Sequence, residues 1–291
     1  MLKLYFDLTK MGIVIFVLLT GLAGYASGYQ IEVPFSLTHL MQTIFGLYLL
    51  SAGSLALNQA QEYKLDQKMN RTKDRPVASG KIKPAAAAIL ALGFIFAGLN
   101  LLYKISETSG WLGLLTVVLY NGAYTLYWKP KWAYAAVPGA IPGALPITVG
   151  YAATNSDIFN SESIYLFMIL FLWQMPHFWA LALKFKEDYR SGGVPTLPVS
   201  LGVEKTLFQI GLYTFVYLGF ALAAPWFVHA SWMYILIVIP FVYKVFSEFI
   251  KFYKCKGEKW FAFFMWTNVS MLVFLLVPVI DKWNFLFFNS N

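Results

Sequence analysis

The sequence predicts an all-α membrane protein, a bundle of nine transmembrane helices, from three observations. Apolar residues make up 59% of the 291 positions and charged residues only 12%, against roughly 25% charged in an ordinary soluble domain. Apolar runs recur along the chain, most of them near the ~20 residues that cross a hydrocarbon core. Almost every Lys and Arg falls on one side of the alternation that these runs create.

The runs cover residues 11–27, 38–61, 84–102, 111–128, 133–152, 164–183, 207–226, 231–249 and 260–279. Lys3 and Lys10 before the first run imitate a signal peptide. The run is long enough to span and further spans follow, so it reads as a retained first helix. No Gly-, Ser- or Pro-rich stretch divides the chain, and residues 1–291 read as one domain. Cys255 is the single cysteine, so no internal disulfide forms. Lys254 and Lys256 beside it favour a thiolate, yet the loop offers no other catalytic signal, and Cys255 reads as a bystander.

Charge placement tests the count of spans. Of the 22 Lys and Arg, all but Lys104 and Lys282 lie at the N-terminus, at the end of the eighth run, or in the loops after runs 2, 4, 6 and 8. The positive-inside rule makes that side cytoplasmic and puts the C-terminus on the other. The net charge of +8 is mostly this orientation signal. The bases sit in short loops without a recognition motif, so nucleic acid is not an expected partner. Trp111, Trp128, Trp132, Trp226, Trp232, Trp260 and Trp283 lie near span ends, as an interfacial belt requires.

Two loops on the cytoplasmic side carry the chemistry. In the first, Asn58, Glu62 and Asp66 follow at four-residue spacing and share one helix face. Three oxygen donors in a stripe suit Mg²⁺, which takes a few carboxylates and completes its shell with phosphate and water. Arg71, Lys73 and Arg75 follow at once, and bases beside metal-holding acids make a diphosphate site. A solvated helix end with ordinary charge pairs is the competing reading. The second loop offers Lys184, Asp188 and Tyr189 as a further metal or phosphate contact. His177 lies about two turns deeper, where a histidine is costly unless partnered. Metal or metalloporphyrin binding, general-base work, and a hydrogen bond to a neighbouring helix beside Pro176 all remain open for it. Asn121 and Asn268, also within spans, read as interhelical packing contacts.

These residues resemble the UbiA superfamily of intramembrane prenyltransferases, and within it the heme O synthase (protoheme IX farnesyltransferase) family. The resemblance rests on the run Met69 to Arg71-Thr72 to Arg75-Pro76, on Ser79-Gly80-Lys81-Ile82, and on the stretch from Pro176-His177-Phe178-Trp179 to Leu183. It continues in Asp188-Tyr189, Gly193-Val194-Pro195, Leu197-Pro198, and Pro138-Gly139 with Gly143-Ala144-Leu145-Pro146. Glu62 stands where the family pattern usually has Asp. The resemblance implies Mg²⁺ on Asn58, Glu62 and Asp66, and diphosphate on Arg71, Arg75 and Lys184. It implies farnesyl diphosphate and protoheme IX as substrates, membrane lipid as surroundings, and a heme A-forming enzyme as a further partner. The cell (inner) membrane is the location it implies.

Two rival activities remain. A UbiA-type enzyme acting on a quinone-precursor aromatic acid shares the diphosphate site but gives no reason for Pro-His-Phe-Trp. A transporter places its ligands near the midplane, whereas here the charged residues gather at the mouths of spans. A structural assembly subunit does not need the intact acids and bases.

Overall fold

The computed structural model describes residues 2–288. Among them the chain is helical and forms no strand. The helices are α1 (Leu2–Thr9), α2 (Met11–Gly28), α3 (Leu37–Asp66), α4 (Pro84–Ile105), α5 (Glu107–Val117), α6 (Lys129–Lys131), α7 (Ala136–Ala152), α8 (Ser161–Lys184), α9 (Lys186–Gly192), α10 (Leu197–Ser200), α11 (Gly202–Leu222), α12 (Trp232–Lys254) and α13 (Trp260–Phe288). Seven of these, α2, α3, α4, α8, α11, α12 and α13, are each long and apolar enough to cross a bilayer.

Seven of the nine expected runs coincide with these spanning helices, and the fourth and fifth depart from a plain 20-residue α-helix. The fourth begins as α5, winds as a wider π-helix over Val118–Trp128, and ends in α6. Within it Thr125 Oγ1 donates to Tyr120 O at 2.8 Å, and Asn121 Nδ2 donates across to Ser54 O of α3 at 2.9 Å. Such wide turns are frequent at functional sites, and this one borders the cavity described below. The fifth, α7, has 17 residues and carries Pro142 and Pro146 inside it. A membrane helix tolerates prolines because neighbouring helices cover the freed backbone groups.

Helix caps follow the sequence. The Ser36 side chain accepts from His39 N at the start of α3, and Asn160 does the same for Ser163 N at the start of α8. Small residues then let backbones meet. A methyl group on Gly24 of α2 would stand 1.9 Å from Ile147 O of α7, and one on Gly150 of α7 would stand 1.9 Å from Gly21 O. Glycine is required there by contact alone.

The main apolar cluster joins α7, α8, α11, α12 and α13 around Trp179, Tyr165, Tyr217, Phe252 and Phe274. Its hydroxyls are paired: Tyr165 with Tyr234 at 2.9 Å and Tyr217 with Ser270 at 3.0 Å. Smaller clusters seat α3 against α4 and α5. The exterior is apolar as well. Ile89, Phe96, Phe215 and Tyr243 are each more than 70% exposed, a surface that suits lipid and not water.

The two ends of the bundle differ. At one end α1 lies along α3, where Gln59 Nε2 donates to Asp7 O and Leu8 O at 2.7 and 2.9 Å. At the other, Lys282 of α13 pairs with Glu162 of α8 at 2.9 Å and also bonds Ser27 O of α2. The helices between these ends enclose a cavity.

Candidate active site

The cavity has a volume of about 670 Å³ and is walled by α2, α3, the π-helix, α7, α8 and α13. Its mouth, at the end that holds α1, is charged: Lys10, Asn58, Glu62, Asp66, Arg71, Arg75, Lys129 and Tyr189 line it. Its depth is apolar, with Phe16, Leu47, Leu50, Pro146, Val149 and Leu272 in the walls.

The i, i+4, i+8 spacing on α3 does what the sequence predicts. Asn58, Glu62 and Asp66 face one way and are all buried. Each is held by a base from a different segment. Lys10, between α1 and α2, donates to Asn58 Oδ1 at 2.8 Å. Lys129, after the π-helix, reaches both Glu62 oxygens at 2.6 and 2.7 Å. Arg75, from the loop after α3, donates through Nη1 to both Asp66 oxygens at 2.8 and 2.9 Å. The loop folds back to allow this, with Thr72 Oγ1 bonding Asp66 O at 3.0 Å.

Burial and the neighbouring Arg75 and Lys129 charges push the Lys10 ammonium down to about 7. Burial also opposes the Lys129 charge, but the Glu62 carboxylate outweighs it and holds that ammonium above its ordinary value. A buried cation is stabilised by an anion at hydrogen-bond distance. Arg71, Arg75 and Lys129 alone outnumber the two carboxylates of the mouth, which therefore favours an incoming polyanion.

The second loop closes over the first. Asp188 Oδ2 accepts from Arg71 N at 2.9 Å, and Ser191 Oγ donates to Lys68 O at 3.0 Å. The Arg71 guanidinium stacks 5.1 Å from the Phe185 ring and 5.8 Å from the Tyr189 ring. The two loops thus meet on one face, as the four intervening spans require. Not every expected residue enters the cavity. Lys73 bonds Asn70 Oδ1 at 3.2 Å on the surface, Lys184 lies 5.9 Å over the Trp260 ring, and Asp188 ties the loops together. None of the three is part of the cavity lining.

Deeper in the wall, His177 Nδ1 meets Asn268 Oδ1 of α13 at 2.7 Å. The interhelical bond is one of the readings open for both residues, and both also line the cavity. Asn121 has the packing role expected of it, bonding Ser54 O and Gln61 Oε1.

Sequence reasoning misses four residues of the site. Lys10 and Lys129 read only as orientation charges, because their partners lie 48 and 67 positions away. Tyr120 and Tyr124 line the cavity below the bases and look in sequence like any aromatic within a span. The available signal was the four-residue spacing between them, which puts both on one helix face.

No cluster of three or more His, Cys, Asp or Glu stands ready for a metal among the described residues. The donor set nevertheless fits Mg²⁺. It comprises one amide and two carboxylates on one helix face, opening into a cavity whose bases can transfer to phosphate.

Helices around a lipid-bounded cavity, with acids and bases at one mouth, define an intramembrane prenyltransferase. The chain belongs to the UbiA prenyltransferase family, whose model matches residues 16–272. It is 64% identical to a protoheme IX farnesyltransferase of Bdellovibrio bacteriovorus over 100% of both chains. It is 33% identical to one of Aquifex aeolicus over 96% of this chain and 95% of that one. Among solved structures, a digeranylgeranylglyceryl phosphate synthase shares the fold at a TM-score of 0.74 and 19% identity, over 96% of this chain and 99% of that one. A UbiA homolog from Archaeoglobus fulgidus, bound to GPP and Mg²⁺, does so at 0.67 and 16%, over 92% and 99%.

Proposed function

We propose that this chain transfers a farnesyl group from farnesyl diphosphate to a vinyl group of protoheme IX, with addition of water, to give heme O for a terminal oxidase. One observation carries the reading. Three buried oxygen donors on α3, each paired with a base from a different segment, stand at the mouth of an apolar cavity that also contains His177. The relatives named above favour protoheme over other acceptors.

Asn58, Glu62 and Asp66 would hold Mg²⁺, which neutralises the diphosphate and makes it a better leaving group. Arg71 and Arg75 bind phosphate oxygens, joined by Lys10 as it leaves the Asn58 amide oxygen and by Lys129 as it leaves the Glu62 carboxylate. Lys73 and Lys184, outside the lining, attract the diphosphate to the mouth. Asp188 fixes the Arg71 backbone, and Tyr189 walls the mouth beside it.

The farnesyl chain lies in the apolar depth. Loss of diphosphate leaves an allylic cation, which the faces of Tyr120 and Tyr124 stabilise by cation–π attraction. The apolar walls exclude the bulk water that quenches such a cation. The heme vinyl group attacks the allylic carbon, the positive charge passes to the adjacent vinyl carbon, and one water adds there and loses a proton. His177 stands in the wall on the acceptor side.

The chain sits in the cell (inner) membrane with the charged mouth toward the cytoplasm. Mass spectrometry of hemes extracted from cells that lack their own heme O synthase tests the activity. Expression of this chain should yield a heme heavier than protoheme by one farnesyl group plus one hydroxyl group. Protoheme alone, with the chain abundant in the membrane, refutes the reading and turns attention to quinone-precursor aromatic acids.

A further inference from the structure

We infer that His177 binds the iron of protoheme through Nε2, and that Asn268 is the positioning residue that keeps this nitrogen available. The inference rests on protoheme as the acceptor and adds how the acceptor is held.

The tautomer follows from the hydrogen bond. The amide oxygen of Asn268 only accepts, and it stands 2.7 Å from Nδ1. Nδ1 therefore carries the hydrogen, and Nε2 of the neutral ring keeps its lone pair. Among the described residues Nε2 has no hydrogen-bond partner. A ring nitrogen fixed in this way by a bond at its other nitrogen is the usual arrangement of a metal-binding histidine.

The ring is also held in orientation. Trp173 and Phe264 both pack against it, each with its centroid 4.6 Å from the imidazole centroid and tilted by 38° and 30°. His177 lies about two turns, roughly 10 Å, deeper than Lys184 at the end of α8, within the cavity that has the diphosphate residues at its mouth. The wall around it is apolar, with Phe16, Phe178, Val269 and Leu272, and suits the faces of a porphyrin. An iron–imidazole bond satisfies Nε2 and fixes the macrocycle. A vinyl group at its edge is then presented to the allylic carbon.

The test uses the full chain in nanodiscs, titrated with ferric protoheme and, separately, with iron-free protoporphyrin IX. Wild type should show the absorption and resonance Raman signature of imidazole-bound heme. His177→Ala should lose that signature and bind ferric protoheme about tenfold or more weakly. Added imidazole should restore the signature, which also shows that the variant is folded. Iron-free protoporphyrin should bind both proteins alike.

Asn268→Leu should weaken ferric protoheme binding about 10- to 100-fold. Asn268→Asp should keep the ligation and lower the Fe(III)/Fe(II) potential, because a carboxylate accepts more strongly from Nδ1–H. An unchanged spectrum in His177→Ala overturns the ligation, and loss of ligation in Asn268→Asp overturns the tautomer. Farnesyl transfer is measured on the same samples. Transfer by wild type with a spectrum indifferent to His177 sinks this inference and leaves the proposed function standing. Neither protoheme binding nor transfer by wild type sinks both.

Discussion

Replacing Lys129 by Met should destabilise the ligand-free protein, and also replacing Glu62 by Gln should recover most of the loss. Lys129 bonds both Glu62 oxygens, at side-chain exposures of 20% and 6%. Removing one partner of a buried pair costs about 3–5 kcal/mol, because it leaves an uncompensated charge. Two features reduce that here. Lys129 keeps a fifth of its surface in contact with solvent, and Lys10, bonded to Asn58 one turn away, can turn toward Glu62. We therefore expect about 2–3 kcal/mol. At roughly 2 °C per kcal/mol for a chain of this length, the single variant should melt roughly 4–6 °C lower. The Lys129→Met/Glu62→Gln protein, with no charge to strand, should return to within about 2 °C of wild type. The assay is thermal unfolding in detergent at one scan rate, without Mg²⁺ or diphosphate. Equal melting temperatures for the single and double variants would show that Glu62 is hydrated from the mouth, and the buried-pair argument would be wrong.

Four further outcomes follow from the same structure. Asp66→Asn, which removes the anion under Arg75 and one oxygen donor, should lower kcat by about 100-fold or more in a farnesyl-transfer assay while the protein stays folded. Gly24→Ala puts a methyl group 1.9 Å from Ile147 O and must push α2 off α7, costing about 1–3 kcal/mol in melting experiments, whereas Gly12→Ala meets nothing within 4 Å and should be silent. Gly193 ends α9 at φ 74° with open space around it, so Gly193→Ala should cost about 1–2 kcal/mol through backbone strain alone. Cys255, the single cysteine, ends α12 at the charged side, so a membrane-impermeant maleimide should label it in inverted vesicles and not in intact spheroplasts.

Much of this molecule is legible in its residues. Composition and run length are local quantities, so the class of protein and the helices are read directly. Charge placement reports topology because every loop between spans is short. The stripe Asn58, Glu62 and Asp66 is visible because helix geometry converts a spacing of four into a shared face. Where backbone winding depends on neighbours, prediction falls short. The π-helix at Val118–Trp128 is accompanied by side-chain bonds such as Asn121 to Ser54, which no local pattern announces.

Local patterns in the chain suffice for a multi-span helical protein, a stripe of oxygen donors, and the bases and histidine near it. Which base meets which oxygen donor is settled only in the folded chain, because Lys10 and Lys129 reach α3 across 48 and 67 positions. The tertiary structure also decided that Arg71 and Arg75 line the cavity while Lys73 and Lys184 do not. The direction of a side chain on a folded loop is set by the surfaces that pack around it, and those surfaces exist only once distant helices have met.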